Sequence, residues 1–258
     1  MKLKFRLFMF ILLSAVFVVG ARSVQKTIAL KPVYEKGHWG YADSTGKVAI
    51  PARFDAALPF ENGLARVGVV DEELPDIDGR PNLLWGYINE SGGVVVELRY
   101  NALRNFVDGL AAAAILEKAE SVHTRRTLDN LKWGYLNREG RVAIPIQFLD
   151  AGDFSEGLAS VNFGGPTDSH CGQPRNYGYI DKAGAIVIKP QFQMASSFKN
   201  AQARVSVGHV EYMGRCLCCA PRFVGKYGYV KRNGEFVQES TTIADGDDPN
   251  PERSHRKQ

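Results

Sequence analysis

Four cysteines are the residues in this chain best suited to do chemistry, and they sit in two short stretches. Cys171 follows His170, while Cys216, Cys218 and Cys219 form a second group with His209 upstream. Thiolate and imidazole in that number could hold a tetrahedral zinc ion. The paired ligand spacing of zinc-binding sequences is missing, however, and an oxidising compartment would compete for the thiols. An even cysteine count in an exported chain favours disulfides instead, with one bridge from Cys171 to the 216–219 group. Four cysteines allow three pairings, and a vicinal Cys218–Cys219 bond would be strained. A redox-active thiol is the remaining alternative, and it would require a depressed pKa.

No other constellation points to catalysis. The chain has no G-x-S-x-G, H-E-x-x-H, P-loop or dinucleotide fingerprint. His38, His123, His170, His209 and His255 are scattered. Glu72, Glu73, Asp76 and Asp78 lack the oxygen-ligand pattern of a calcium loop and read as a solvated acidic segment. The expectation is therefore no catalytic residue, no metal and no cofactor.

The first 21 residues read as a secretory signal peptide. Lys2, Lys4 and Arg6 precede an apolar run from Leu7 to Val19, and Val19-Gly20-Ala21 supplies small residues for cleavage after Ala21. The run is short for crossing roughly 30 Å of hydrocarbon, so cleavage is favoured over a retained anchor, and no later stretch is long enough to span. Removing those three basic residues leaves 29 Lys+Arg against 28 Asp+Glu. So even a balance gives no basic stripe for nucleic acid. The expectation is an exported protein, periplasmic or secreted, with no membrane span after cleavage.

The elements that must position any site come from repetition. Trp39-Gly40-Tyr41 returns as Trp85-Gly86-Tyr87, Trp133-Gly134-Tyr135, Tyr177-Gly178-Tyr179 and Tyr227-Gly228-Tyr229. Seven residues after each lead aromatic stands a glycine: Gly46, Gly92, Gly140, Gly184 and Gly234. Asp43, Asn89, Asn137 or Asp181 precedes that glycine by three, the signature of a type I turn whose last residue has positive φ. A Val/Ile-rich strand follows, such as Val48-Ala49-Ile50 or Val142-Ala143-Ile144, and Pro51, Pro145 and Pro190 are expected to stop it. Twelve-residue connectors then carry aromatics (Phe54, Phe60 and their counterparts). Gly63, Gly109 and Gly157 open a further strand, and Ala201-Gln202-Ala203 breaks that pattern in the fourth copy.

Grouping that further strand with the next aromatic and Val/Ile strands closes the count. The expected fold is all-β: five tandem three-stranded antiparallel meanders, over about 30–51, 63–98, 109–145, 157–190 and 201–238. They stack as an open solenoid-like array within 22–238, the alternative being a closed five-bladed ring. The polar segment 239–258 reads as a disordered tail. The ten aromatics of the repeat (Trp39, Tyr41, Trp85, Tyr87, Trp133, Tyr135, Tyr177, Tyr179, Tyr227, Tyr229) are expected to pack the core rather than to form a sugar-stacking platform.

The stretches WGYADSTGKVAIP, WGYLNREGRVAIP and YGYIDKAGAIVIKP make the chain resemble the WG-repeat family of bacterial proteins over roughly residues 30–238. Copies four and five depart from it with Tyr for the lead Trp, and copy two has Glu97 where the family favours Pro. The resemblance implies a multi-copy β-rich array, often exported, mostly without an assigned activity.

Lead-aromatic spacings of 46, 48, 44 and 50 place the variable length at 71–83, 116–131, 164–176 and 209–225. Each is a first-hairpin loop, so all four should emerge at one edge, where repeat proteins often bind partners. The functional expectation is a non-enzymatic module binding a protein or an envelope glycan along that edge.

Overall fold

The computed structural model describes residues 29–73, 81–116, 131–165, 175–212 and 221–239. The expected leader and the tail from residue 240 onward lie outside these. Among the described residues the protein is all-β, without a helix. Five antiparallel sheets follow one another along the chain, each a meander. The first comprises β1 (Lys31–Glu35), β2 (His38–Ala42) and β3 (Val48–Phe54). The second is β4 (Ala56–Glu61), β5 (Leu64–Val70), β6 (Leu83–Asn89) and β7 (Val94–Tyr100). The third is β8 (Ala102–Leu103), β9 (Leu110–Leu116), β10 (Leu131–Asn137) and β11 (Val142–Phe148). The fourth is β12 (Asp150–Ala151), β13 (Leu158–Asn162), β14 (Tyr177–Asp181) and β15 (Ile186–Phe192). The fifth is β16 (Met194–Ala195), β17 (Gln202–Tyr212), β18 (Pro221–Lys231) and β19 (Phe236–Gln238). The connectors are thus not bare links. Each contributes a short leading strand to the sheet that follows it, a fourth strand beyond the expected three.

The Asx residues build the β2–β3 turn and its counterparts. Asp43 Oδ1 accepts from the amides of Thr45 and Lys47, Asn89 Oδ1 from Ser91 and Gly93, and Asp181 Oδ1 from Ala183 and Ala185. The amide of Gly46 closes the turn onto the Asp43 carbonyl at 3.0 Å, with Gly46 at φ 85°. An L residue is disfavoured there.

The prolines do not stop the third strand, contrary to expectation: β3, β11 and β15 run on through them to Phe54, Phe148 and Phe192. Instead the strand bulges. Tyr41 pairs with Ile50 but Trp39 with Phe54, so extra residues crowd opposite Gly40. Pro suits such a position because a bulged residue has no ladder hydrogen bond to donate. The bulge also explains the Gly in Trp-Gly-Tyr. A Cβ on Gly134 would lie 2.7 Å from the Ile144 carbonyl oxygen and from Ile146 Cα, and Gly40, Gly86 and Gly178 meet equivalent backbone.

The cores lie between sheets rather than within them. Tyr41, Ile50 and Phe54 of the first sheet pack with Ala65, Val67 and Ile88 of the second, and three further clusters join the second to third, third to fourth and fourth to fifth. The inner tyrosine of each of the first four sheets is buried and ties a joint. Its hydroxyl donates to a connector carbonyl 17 residues on: Tyr41 to Leu58, Tyr87 to Arg104, Tyr135 to Gly152 and Tyr179 to Ser196, at 2.7–2.9 Å. Its ring meets the connector's Phe60, Phe106, Phe154 or Phe198 with centroids about 5 Å apart. Four joints for five sheets make an open array, since a closed ring would need a fifth among the described residues.

The two outer sheets differ from the inner ones at positions that elsewhere fill a joint. The position held by Ala65, Ala111, Ala159 and Ala203 at each joint is the exposed Lys31 in the first sheet. Opposite the inner tyrosine, where the other sheets have Ile50, Val96, Ile144 and Ile188, the fifth sheet has the exposed Val237, followed by the exposed Gln238. A charged residue in place of the small alanine makes the first sheet's outer face a poor seat for a further sheet, as expected of a terminal repeat.

One turn is strained. Leading hairpins turn on two positive-φ residues, Asn62-Gly63, Asp108-Gly109 and Glu156-Gly157, but in the fifth sheet on Asn200-Ala201, with Ala201 at φ 62°. Left-handed backbone costs a non-glycine residue about 1–2 kcal/mol, partly offset by the greater unfolded-state freedom of glycine. Ala201→Gly is therefore expected to stabilise the fold by about 0.5–1 kcal/mol in urea denaturation.

Candidate functional site

The connections β5–β6, β9–β10, β13–β14 and β17–β18 all leave their sheets at one edge, because each joins the ends of strands at the same position in a meander. In the fifth sheet the segment 209–225 is not simply a loop. β17 and β18 stay paired out to Tyr212 and Pro221, so a two-stranded ribbon carries the connection beyond the sheet.

Side chains pin where these connections begin. Asp55 Oδ2 accepts from the Val70 amide and Asn101 Oδ1 from the Leu116 amide, each at 2.8 Å. In the fourth sheet Asn162 Oδ1 takes the amides of Gly164 and Asn176, which draws the two ends of the connection together. Asp55 also faces His38 Nδ1 at 3.2 Å. Val70 and Ile115 leave apolar side chains exposed beside these clamps. Sequence reasoning missed Asp55 and Asn101. Their signal is an Asx directly after the connector's first aromatic, in Phe54-Asp55 and Tyr100-Asn101, which Leu149 and Gln193 later replace.

The lead aromatics lie toward the same edge. Trp39, Trp85, Trp133, Tyr177 and Tyr227 are half-buried, whereas Tyr41, Tyr87, Tyr135 and Tyr179 are fully covered and Tyr229 is half-buried. The Arg66 guanidinium lies 5.3 Å from the Trp85 ring centre, and Arg104 lies 5.2 Å from that of Trp133. A Cβ on Gly68 would touch Trp85 at 3.3 Å, so that ring is flanked by Gly68 and Arg66. Tyr34 covers Trp39. Tyr177, where other copies have Trp, instead donates its hydroxyl to Asp150 Oδ2 at 2.7 Å. Burial raises its pKa well above the ordinary phenol value, and the Asp150 carboxylate adds to the rise.

Cys171, Cys216, Cys218 and Cys219, with His170, lie outside the described residues. The structure therefore brings together the loop bases and the aromatic row.

The family described as WG containing repeat matches residues 39–69, 85–118, 133–165 and 177–208. The chain belongs to this family. No curated protein and no solved structure matches it. The matched segments show what a WG repeat is physically. Residues 39–69 run from β2 to β5 and so span two sheets. They contain Tyr41, Ile50, Phe54, Phe60, Ala65 and Val67, nearly all of one joint. The WG repeat is thus the unit of packing between sheets, and four matches accompany four joints.

Proposed function

We propose that this WG-repeat protein is an exported, non-enzymatic interaction module that binds a protein partner along its loop edge. The observation carrying this reading is that four connections of unequal length leave one edge of the array, three of them from bases fixed by Asp55, Asn101 and Asn162 and the fourth on a paired ribbon. A rigid scaffold holding variable segments side by side is a common arrangement for recognition. An envelope glycan is the alternative partner. It would need open aromatic faces, and the groups flanking Trp85 and Trp133 favour a protein.

The test is shortening the 164–176 and 209–225 connections in a protein that keeps its β-sheet circular dichroism. Loss of a partner captured from envelope extract by the parent chain is the expected result. Equal capture by the shortened chain would overturn the assignment of binding to this edge.

A disulfide from Cys171 to the 216–219 group would suit this reading as a staple between two of the connections. Non-reducing peptide mapping is expected to find Cys171 linked to the 216–219 group. Four alkylatable thiols in protein taken directly from the periplasm would refute the staple and favour a thiol-active or metal-binding role.

A further inference from the structure

We infer that a cleft between the second and third sheets binds a carboxylate carried on a small apolar group, gripped by Arg66 and Arg138. The cleft lies beside the turn edge of the array, away from the insertion loops, so this inference is independent of the loop-edge reading. Its volume is about 230 Å³, below the usual range for drug-sized ligands and suited to a fragment of one or two residues.

The argument starts from a rule the array follows at its other joints. In the third, fourth and fifth sheets the second residue of the β2–β3-type turn reaches back to the leading turn of the preceding sheet. Lys182 reaches the Asp108 carbonyl at 2.8 Å and its carboxylate at 3.6 Å. Arg232 reaches the Glu156 carbonyl at 2.6 Å and its carboxylate at 3.9 Å. Each cation has its acid. Arg138 makes the same reach, donating to the Asn62 carbonyl at 2.7 Å, but Asn62 carries no charge. The acid is missing at this joint alone of the three.

A second departure occurs at the same place. The strand position opposite the inner tyrosine is Ala112 in the third sheet, Ser160 in the fourth and Arg204 in the fifth. Arg204 is paired with Glu239 at 3.1 Å. In the second sheet this position is Arg66, and among the described residues no carboxylate lies within ion-pair distance of it. Its guanidinium stacks on Trp85 and donates one N–H to the Leu103 carbonyl, while its Nε–H is buried without an acceptor. Arg66 and Arg138 line one cleft. A base has been added and an acid removed where both face the same cavity.

The remaining walls define the ligand. Leu58, Pro59 and Phe106 are apolar, and Phe106 lies under Arg138 with 5.4 Å from guanidinium carbon to ring centre. Stacking on Trp85 and Phe106 holds both planar forks in place, which favours the two parallel hydrogen bonds a carboxylate accepts from arginine. Glu61 also lines the cleft, where Asn105 Nδ2 donates to its Oε2 at 3.2 Å. The cleft therefore carries a net single positive charge from these three groups, matching a monoanion better than a polyanion.

The test is NMR of the arginine Nε–H signals in the full chain at low ionic strength. The probes are N-acetyl-leucine, its neutral methylamide and inorganic phosphate. N-acetyl-leucine is expected to shift the Arg66 and Arg138 signals with an affinity on the order of millimolar, and the methylamide to shift neither. Arg138→Gln is expected to weaken binding by about tenfold. Asn62→Asp keeps both arginines and supplies the acid that the other joints carry, so it should weaken binding comparably with the fold intact. No shift with N-acetyl-leucine, equal shifts with the methylamide or with phosphate, or unchanged affinity in both variants would each overturn the assignment.

Discussion

Gly134→Ala is expected to destabilise the protein by about 4 kcal/mol and to lower its melting temperature by roughly 10 °C. The reason is steric. The added methyl would meet the Ile144 oxygen, the Pro145 oxygen and Ile146 Cα, all at 2.7 Å and all backbone. No rotamer change relieves such contacts, so β10 and β11 must separate or the bulge must unwind. Either response moves Tyr135 and Ile144, which belong to the joint with the fourth sheet. In an array stabilised by its joints, damage to a central unit weakens the coupling on both sides. Gly63→Ala is the control. Gly63 has φ 80° but open space around its missing Cβ, so that change should cost only about 1–2 kcal/mol. Thermal and urea denaturation of the two variants would separate the causes. Equal small losses would mean that the Trp-Gly-Tyr glycine is not there for close approach.

This glycine also marks how far the fold can be read from the sequence. The recurrence of aromatic-Gly-Tyr, the Asx residues and the turn glycines is enough to place five sheets and their second hairpins. Those features act locally, through turn chemistry and strand alternation, and the structure has them where the pattern puts them. The expected stop at Pro51, Pro145 and Pro190 fails because a Pro ending a strand and a Pro in a bulge look alike within one segment. Only the partner strand distinguishes them, through the pairing of Trp39 with Phe54 two residues beyond its regular mate. Short strands such as Ala102–Leu103 and Asp150–Ala151 carry too few residues to show alternation; they exist because β9 and β13 offer them an edge.

The candidate site was legible only in outline. Loop positions followed from spacing, whereas the clamps at Asp55 and Asn101 depend on contacts 15 residues away and recur in only two sheets. The turn cations illustrate a third level. Arg138, Lys182 and Arg232 reach a preceding leading turn, while the first two sheets carry Ser44 and Glu90 at that place. The first sheet has no leading turn to offer the second. A charge pattern that looks like surface variation is therefore dictated by which neighbour exists, and that neighbour must be known first.

The buried tyrosines predict cooperative unfolding by alkali. Burial raises the pKa of Tyr87 to about 12 and those of Tyr41, Tyr135, Tyr177 and Tyr179 further still. In the unfolded chain the same phenols ionise near pH 10. Below pH 10 both states are protonated, and the contribution of these groups to stability is fully present. Above it the unfolded chain sheds protons that the fold retains, so stability falls as pH rises toward and through the folded-state values. Each tyrosine contributes up to about 1.4 kcal/mol per pH unit in that window. Five together approach about 7 kcal/mol per unit, enough to exhaust a typical net stability of about 5–15 kcal/mol within one to two units. Absorbance of phenolate and β-sheet circular dichroism, followed together, should change in one transition between about pH 11 and 12. Ionisation of these tyrosines near pH 10 with the sheets intact would overturn the prediction. Tyr135→Phe makes the sign explicit. It strands the Gly152 carbonyl that Tyr135 caps at 2.7 Å, costing about 1–3 kcal/mol at neutral pH. It also removes one group that ionises only on unfolding, so the deficit against the parent chain must shrink as the pH climbs above 10.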